Sequence, residues 1–166
     1  MYVLHCTRKL LDRLHVPIPK VPPEGSTTAL GRLYATALFW RPQMVLLVNA
    51  TTLLPVVMPL APAATLTTRF PGELARVLEA HGMSADFIGR ELAAMDECIV
   101  TKTASRSLLG MLNEFSFLAD VFRSSFTGMD VTALSLKLAT VPCGPLKGSN
   151  PARELKALAT AQPHAH

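Results

Sequence analysis

Hydroxyl and basic side chains are concentrated in one short stretch of the chain, residues 101–113, which reads TKTASRSLLGMLN. The stretch stands at the predicted start of an apolar helix. A helix start exposes unpaired backbone N–H groups and carries a positive partial charge, so it can hold an anion. The residues predicted to bind such an anion are Lys102, Thr103, Ser105, Arg106, Ser107 and Asn113.

The same residues have a structural interpretation, which the sequence leaves open. The stretch 102–107 can be a helix cap with solvated charges. Arg106, Gly110 and Asn113 are spaced by four and three residues, which places them on one helix face. Arg106 and Asn113 either line a ligand site or form a buried polar pair that ties the helix to a neighbour. Gly110 predicts a close approach of another backbone or of a ligand.

Charge is distributed unevenly along a chain whose net charge is +4. The first 20 residues carry Arg8, Lys9, Arg13 and Lys20 against Asp12, a net charge of +3. Residues 69–98 carry three arginines against six acidic residues, a net charge of −3. We therefore predict a basic face and an acidic face, with a secondary basic patch of Arg8, Lys9 and Arg13. This mild basicity alone does not indicate nucleic-acid binding.

Motifs for common catalytic and metal chemistry are missing from the sequence. It has no glycine-rich phosphate loop, no Gly-x-Ser-x-Gly elbow and no His-Glu-x-x-His spacing. Cys6 follows His5 directly, and adjacent residues on a strand point to opposite faces, which argues against a Cys–His pair. The three cysteines, Cys6, Cys98 and Cys143, form no Cys-x-x-Cys pair, so we expect reduced thiols in the cytoplasm. No metal site and no cofactor is predicted.

Residues 42–68 carry no charge and raise the question of a membrane helix. Polar residues at 49, 51 and 52 and prolines at 55, 59 and 62 interrupt the apolar run, which is too short to span a bilayer. Two strands near 44–48 and 53–58, joined by a turn at Asn49, explain the pattern better. Pro55 places the second strand at the edge of a sheet or at a bulge.

The fold class predicted from these patterns is α+β. A small, mainly antiparallel sheet, with strands near 2–6, 44–48, 53–58 and 98–101, packs with amphipathic helices. Helices are expected over 7–15, 27–40, 71–81, 105–124, 131–140 and 151–159, with another capped by Ser84. The longest, 105–124, should be the central and most buried helix and should bury Phe115. Residues 1–160 form one domain, and 161–166 form a disordered tail.

Five strings of sequence, in this order, carry a resemblance to a known family. They are HCTRKLLDRL, TTALGRLYA, VLLVNATTLLPVVMPL, a helix opened by RFP, and KTASRSLLGMLNEFSF. Together they resemble an uncharacterised family of small bacterial proteins classed as a domain of unknown function. The resemblance covers roughly residues 1–125 and, more weakly, the remainder. It implies a bacterial, cytoplasmic protein and carries no known activity, substrate or catalytic residue.

Three function classes remain open. The first is a small binding protein for nucleic acid or a phosphate-bearing ligand, linked to a mobile element or a toxin–antitoxin pair. The second is a small enzyme or ligand binder that acts on an anionic substrate through Arg106 and Asn113. The third is a protein–protein interaction module. Binding is favoured over catalysis because no complete set of acid, base and nucleophile can be assembled. A membrane is not among the expected partners.

Overall fold

A five-stranded mixed sheet forms the centre of the protein. The computed structural model describes residues 1–20, 23, 25–125 and 130–161. The strands are β1 (Tyr2–Cys6), β2 (Leu33–Leu38), β3 (Met44–Asn49), β4 (Pro55–Pro59) and β5 (Cys98–Lys102), in the spatial order β4-β3-β2-β1-β5. β1 is parallel to both of its neighbours, β2 and β5, whereas β2, β3 and β4 are antiparallel. The α+β class is confirmed, but the expectation of a mainly antiparallel sheet is wrong.

Helices cover both faces of this sheet. The described residues contain α1 (Arg8–Leu14), α2 (Leu66–Ala80), α3 (Ala85–Ala93), α4 (Arg106–Phe122), α5 (Val131–Leu138) and α6 (Pro151–Ala161). Side chains of α1, α2, α3 and α6 pack with Leu4 and Cys6 on one face. Side chains of α4 and α5 pack with Tyr34 and Leu46 on the other. The two faces therefore form two hydrophobic clusters with the sheet between them.

The helix expected over 27–40 is wrong, because residues 33–38 form β2. All six residues of this strand are buried. A strand enclosed on both faces reads as a continuous apolar run, which cannot be told from a buried helix by periodicity. Gly31, with a φ of +74°, turns the chain into the strand and is incompatible with a helix there. The missed strand lies next to β1, so α1 becomes the crossover between two parallel strands.

The hairpin predicted over 44–58 is confirmed. β3 and β4 are antiparallel, with Val45 opposite Met58 and Val48 opposite Pro55. β4 is an edge strand, one of the two positions expected from Pro55. None of the described helices is long and apolar enough to cross a membrane. The uncharged stretch 42–68 instead supplies this hairpin and the beginning of α2.

α2 begins at Leu66, five residues before the predicted start at Pro71. A proline inside a helix has no N–H to donate to the carbonyl four residues earlier. Here that carbonyl belongs to Thr67, and the Tyr2 hydroxyl donates to it at 2.6 Å. Burial raises the pKa of this hydroxyl above its ordinary value, so it stays a donor. A side chain from β1 thus replaces the missing bond, and the helix continues through the proline.

α4 confirms the helix predicted over 105–124 and buries Phe115, but it is not enclosed on all sides. Met111, Leu112, Phe115 and Ala119 are buried, whereas Phe117 is 69% exposed. α2 buries five residues, so the expectation that α4 is the most buried helix is wrong. The predicted tail, 161–166, begins inside α6, and residues 162–166 lie outside the described residues. A single domain over 1–160 stays a prediction.

Candidate anion site at the carboxyl ends of two parallel strands

The carboxyl ends of β1 and β5 lie side by side at one edge of the sheet, because the two strands are adjacent and parallel. The chain leaves β1 into α1, which packs on one face, and leaves β5 into α4, which packs on the other. A crevice opens where neighbouring parallel strands send their connections to opposite faces. In open α/β sheets this is the usual place for a ligand. The topology therefore singles out the segments that follow Cys6 and Lys102.

Arg8 and Lys102 line one cleft at this edge. The cleft has a volume of about 290 Å³, and its other lining residues are Leu11, Asp12 and Ile18. Arg8 comes from the predicted basic patch and Lys102 from the predicted anion-binding stretch, so the fold brings these two groups together. Asp12, one turn after Arg8, offsets one of the two positive charges. The cleft has a small net positive charge and one acceptor carboxylate.

A row of threonines crosses the three parallel strands beside this cleft. Thr7 and Thr103 directly follow β1 and β5, and each is only 9% exposed. The Thr103 N–H donates to the Cys6 carbonyl at 3.1 Å, which extends the ladder by one residue. Thr7 and Thr36 share a hydrogen bond of 2.9 Å between their hydroxyls. The Thr103 Oγ1 atom is buried and has no hydrogen-bond partner among the described residues, an unusual state for a buried hydroxyl.

The start of α4 combines a helix cap with free donors. The Ser105 hydroxyl accepts from the Leu108 N–H at 3.2 Å, so the capping interpretation of Ser105 is confirmed. Within the described residues, the N–H groups of Arg106 and Ser107 make no hydrogen bond, and both side chains are exposed. Arg106 and Lys102 form no salt bridge with any described residue. The first turn of α4 therefore keeps the donors and charges that an anion needs.

Asn113 and Gly110 do not belong to this site. Arg106, Gly110 and Asn113 are all exposed on α4, so the buried polar pair proposed for Arg106 and Asn113 is wrong. Asn113 lies about 10 Å further along the helix axis than Arg106, at ~1.5 Å per residue. A Cβ atom added at Gly110 would meet no described atom within 4 Å, so no neighbour approaches closely there. Of the residues predicted to bind an anion, only those at the start of α4 stay in the candidate site.

Lys9 and Arg13, the rest of the predicted basic patch, surround an aromatic ring instead of lining the cleft. The Lys9 Nζ and Arg13 Cζ atoms lie 6.0 and 5.4 Å from the centroid of the Phe39 ring. Phe39 directly follows β2 and is 52% exposed. Phe39 was not predicted as a site residue, because the apolar pattern of residues 27–40 indicated a helix. The signal was available in residues 33–38, where five apolar residues and one threonine end at Leu38 and the Arg41-Pro42 stop follows.

His5 contributes a second unpartnered buried atom near the threonine row. Its ring stacks on Tyr34, with 4.6 Å between centroids and 17° between planes. The His5 Nε2 atom is buried and has no hydrogen-bond partner among the described residues. Cys6 packs on the opposite face, and burial raises the pKa of its thiol. This thiol stays protonated and unreactive, which removes the neighbouring Cys–His pair from consideration.

Two histidines make the stability of the fold depend on pH. Burial, assisted by Arg32 for His5 and by Lys156 for His81, lowers the pKa of both imidazoles below 6.5. In the pH range just below 6.5 the unfolded chain binds more protons than the folded one, so stability should rise with pH through this range. Urea unfolding between pH 5.5 and 7.5 measures the slope. The double variant His5→Gln, His81→Gln should flatten it, and an unchanged slope would contradict the assignment.

Metal ligation has no support in the described residues, where no group of three or more His, Cys, Asp and Glu side chains could hold an ion.

The family model of the domain of unknown function DUF6933 matches residues 3–154. The chain therefore belongs to this family. Comparison with curated proteins and with solved structures finds no significant match. Family membership thus agrees with the resemblance seen in the sequence and assigns no ligand.

Proposed function

We propose that this DUF6933 protein binds a phosphate-bearing ligand in the cleft at the carboxyl ends of β1 and β5. The observation that carries the proposal is the meeting of Arg8 and Lys102 in one cleft at the point where the two connections diverge. These residues are 94 positions apart in the sequence, and only the parallel pairing of β1 with β5 brings them together. Arg106 adds a third cation within four residues of Lys102.

The chemistry of the cleft suits a phosphate group. Arg8 and Lys102 supply positive charge, and a guanidinium can donate two parallel hydrogen bonds to one phosphate. We assign further directional bonds to the N–H groups of Arg106 and Ser107, which follow Lys102 by four and five residues and make no hydrogen bond within the described residues. Asp12 is an acceptor in the same cleft, so we infer a ligand that presents a hydroxyl or an amine next to its phosphate. A nucleotide or a sugar phosphate has this combination.

A binding role is better supported than a catalytic one. His5 and Cys6 lie on opposite faces of the sheet, and burial raises the pKa of the Cys6 thiol. A nucleophile, an acid and a base cannot be assembled around the cleft from the described residues.

We also propose a cytoplasmic setting. Its support is that Cys6, Cys98 and Cys143 are all free thiols.

Inorganic phosphate should raise the stability of the protein by mass action. At ten times the Kd the gain in free energy of unfolding is about 1.4 kcal/mol. Lys102→Ala and Arg8→Ala should each remove most of this gain, and Arg106→Ala should reduce it. Basal stability should stay nearly unchanged in all three variants because these side chains are exposed. Thermal unfolding with and without phosphate measures both quantities.

The matched control is Arg153→Ala, which removes an exposed arginine from α6. It changes the net charge by the same amount and should leave the phosphate response intact. An equal loss of response in Arg153→Ala would mean that phosphate acts through general screening. A loss of basal stability in Arg106→Ala with an intact phosphate response would show that Arg106 is structural. The first result would overturn the proposed site, and the second would remove Arg106 from it.

A further inference from the structure

Phe39 is exposed although both of its neighbours in sequence are buried. Leu38 and Trp40 are 5% and 8% exposed, whereas Phe39 is 52% exposed. Successive side chains point to opposite sides at the end of β2, so the side chain at position 39 points away from those of Leu38 and Trp40. A position that faces solvent is normally polar. A phenylalanine there presents a flat apolar ring to solvent. This exposed ring is available for contact with a ligand.

Two cations lie over this ring and form no salt bridge within the described residues. Lys9 and Arg13 are four residues apart on α1, which places them on the same side of the helix. Their charged groups lie 6.0 and 5.4 Å from the Phe39 centroid. Among the described residues neither forms a salt bridge, since the ion pairs found there involve other cations. We call Lys9, Arg13 and Phe39 the Phe39 platform.

Further positive charge lies on either side of the platform along the chain. Arg8, the residue before Lys9, lines the cleft with Lys102. Arg41 is exposed two residues after Phe39. Arg123 lies over the neighbouring Trp40 ring at 4.5 Å and pairs with Asp120 at 3.1 Å, so it is not counted with this surface. Arg8 and Arg41 therefore extend the positive charge on both sides of the platform along the sequence.

We propose that the Phe39 platform stacks an unpaired base of single-stranded nucleic acid, while Lys9 and Arg13 contact the phosphates beside that base. Proteins that bind single strands combine an aromatic stacking surface with a basic path for the backbone. A duplex keeps its bases stacked inside and offers only phosphates, so it would use the cations and not the ring. This inference rests on the proposed function, because the cleft then takes a phosphate of the same strand.

If a base stacks on the Phe39 ring, binding should depend on an aromatic side chain at position 39. With a labelled twelve-residue oligo(U) or oligo(dT), Phe39→Ala should weaken binding about tenfold or more, and Phe39→Trp should retain it. Lys9→Ala and Arg13→Ala should each weaken binding and lower the dependence of log K on log salt by about one contact. Fluorescence anisotropy between 50 and 200 mM salt measures these values.

Phe117→Ala is the matched control. Phe117 is 69% exposed on α4 and, within the described residues, has no cation over its ring. This variant should bind the oligonucleotide as the wild type does. The inference is overturned if Phe39→Ala binds like the wild type, if a duplex binds as tightly as the single strand, or if polyglutamate competes equally well. The last result would assign the surface to acidic protein partners.

Failure of this inference and failure of the proposed cleft can be told apart. Inorganic phosphate contains no base, so its stabilising effect tests the cleft alone. Stabilisation by phosphate without oligonucleotide binding would support the proposed cleft and contradict nucleic-acid binding at the Phe39 platform. Oligonucleotide binding that needs Phe39 but not Lys102, without any phosphate response, would support the platform and contradict the cleft.

Discussion

Replacement of Phe115 by alanine is expected to destabilise the protein by about 3–5 kcal/mol, the usual range for truncating a buried aromatic side chain. Phe115 is fully buried in the cluster between α4 and the sheet, where it packs with residues such as Tyr34 and Leu46. The loss combines the transfer free energy of the ring with the cavity that remains. Urea unfolding measures the change directly.

Phe117→Ala is the control for this prediction, because it removes the same side chain two positions away on the exposed side of α4. Its effect should stay within about 0.5 kcal/mol. A change below about 1 kcal/mol for Phe115→Ala would mean that the helix is rotated relative to the sheet. The candidate site depends on this orientation, since the packing of α4 fixes where its first turn lies relative to the end of β5.

Asn49→Ala is expected to destabilise the fold by about 2–4 kcal/mol, because it leaves several buried polar groups without partners. Asn49 is 1% exposed. Its Nδ2 donates to the Leu30 carbonyl at 3.0 Å. Its Oδ1 accepts from the Thr52 hydroxyl at 2.9 Å and from the Leu54 N–H at 2.7 Å. One side chain thus joins the β3–β4 turn to the segment that leads into β2.

Asn113→Ala is the matched control for Asn49→Ala. Asn113 is exposed on α4 and makes no hydrogen bond with its side chain among the described residues. The alanine variant should change the free energy of unfolding by less than about 0.5 kcal/mol. Equal effects of the two substitutions would contradict the network assigned to Asn49. Urea or thermal unfolding distinguishes the two outcomes.

Local patterns were enough to predict the hairpin. The valines of 44–58, the turn residue Asn49 and the edge-forming Pro55 all act within a few residues of one another, so the sequence records their effect. The helical phase that turned Phe115 inward also places Arg106 and Asn113 outward. The exposure of this pair could therefore have been deduced without the structure.

Parallel neighbours could not be predicted in the same way. The partners of β1 lie about 30 and 95 residues further along the chain, and strand alternation is lost in β2 because both of its faces are buried. The start of α2 was missed for a related reason. Pro71 cannot donate to the Thr67 carbonyl, and the Tyr2 hydroxyl donates to it instead. Tyr2 is 65 residues from Thr67 in the sequence, so no local pattern predicts this hydrogen bond.

The candidate site was predicted in part. The helix start at 102–107 was identified from residue types alone, and Ser105 caps it as expected. Its junction with Arg8 depends on the pairing of β1 with β5 and was not predictable. The division of the basic patch between the cleft and Phe39 likewise required β2 to be recognised as a strand.

Titration of the ¹⁵N-labelled protein with inorganic phosphate is the sharpest test of the anion site, because amide resonances report on individual residues. We expect saturable shifts for Thr103, Arg106 and Ser107 that fit one Kd and weaken together in Lys102→Ala. The Arg106 and Ser107 amides are the free donors at the start of α4, and the Thr103 amide directly follows β5 and donates to the Cys6 carbonyl. Shifts that rise linearly without saturation, or that are confined to the region of His81 and Lys156, would contradict the anion site.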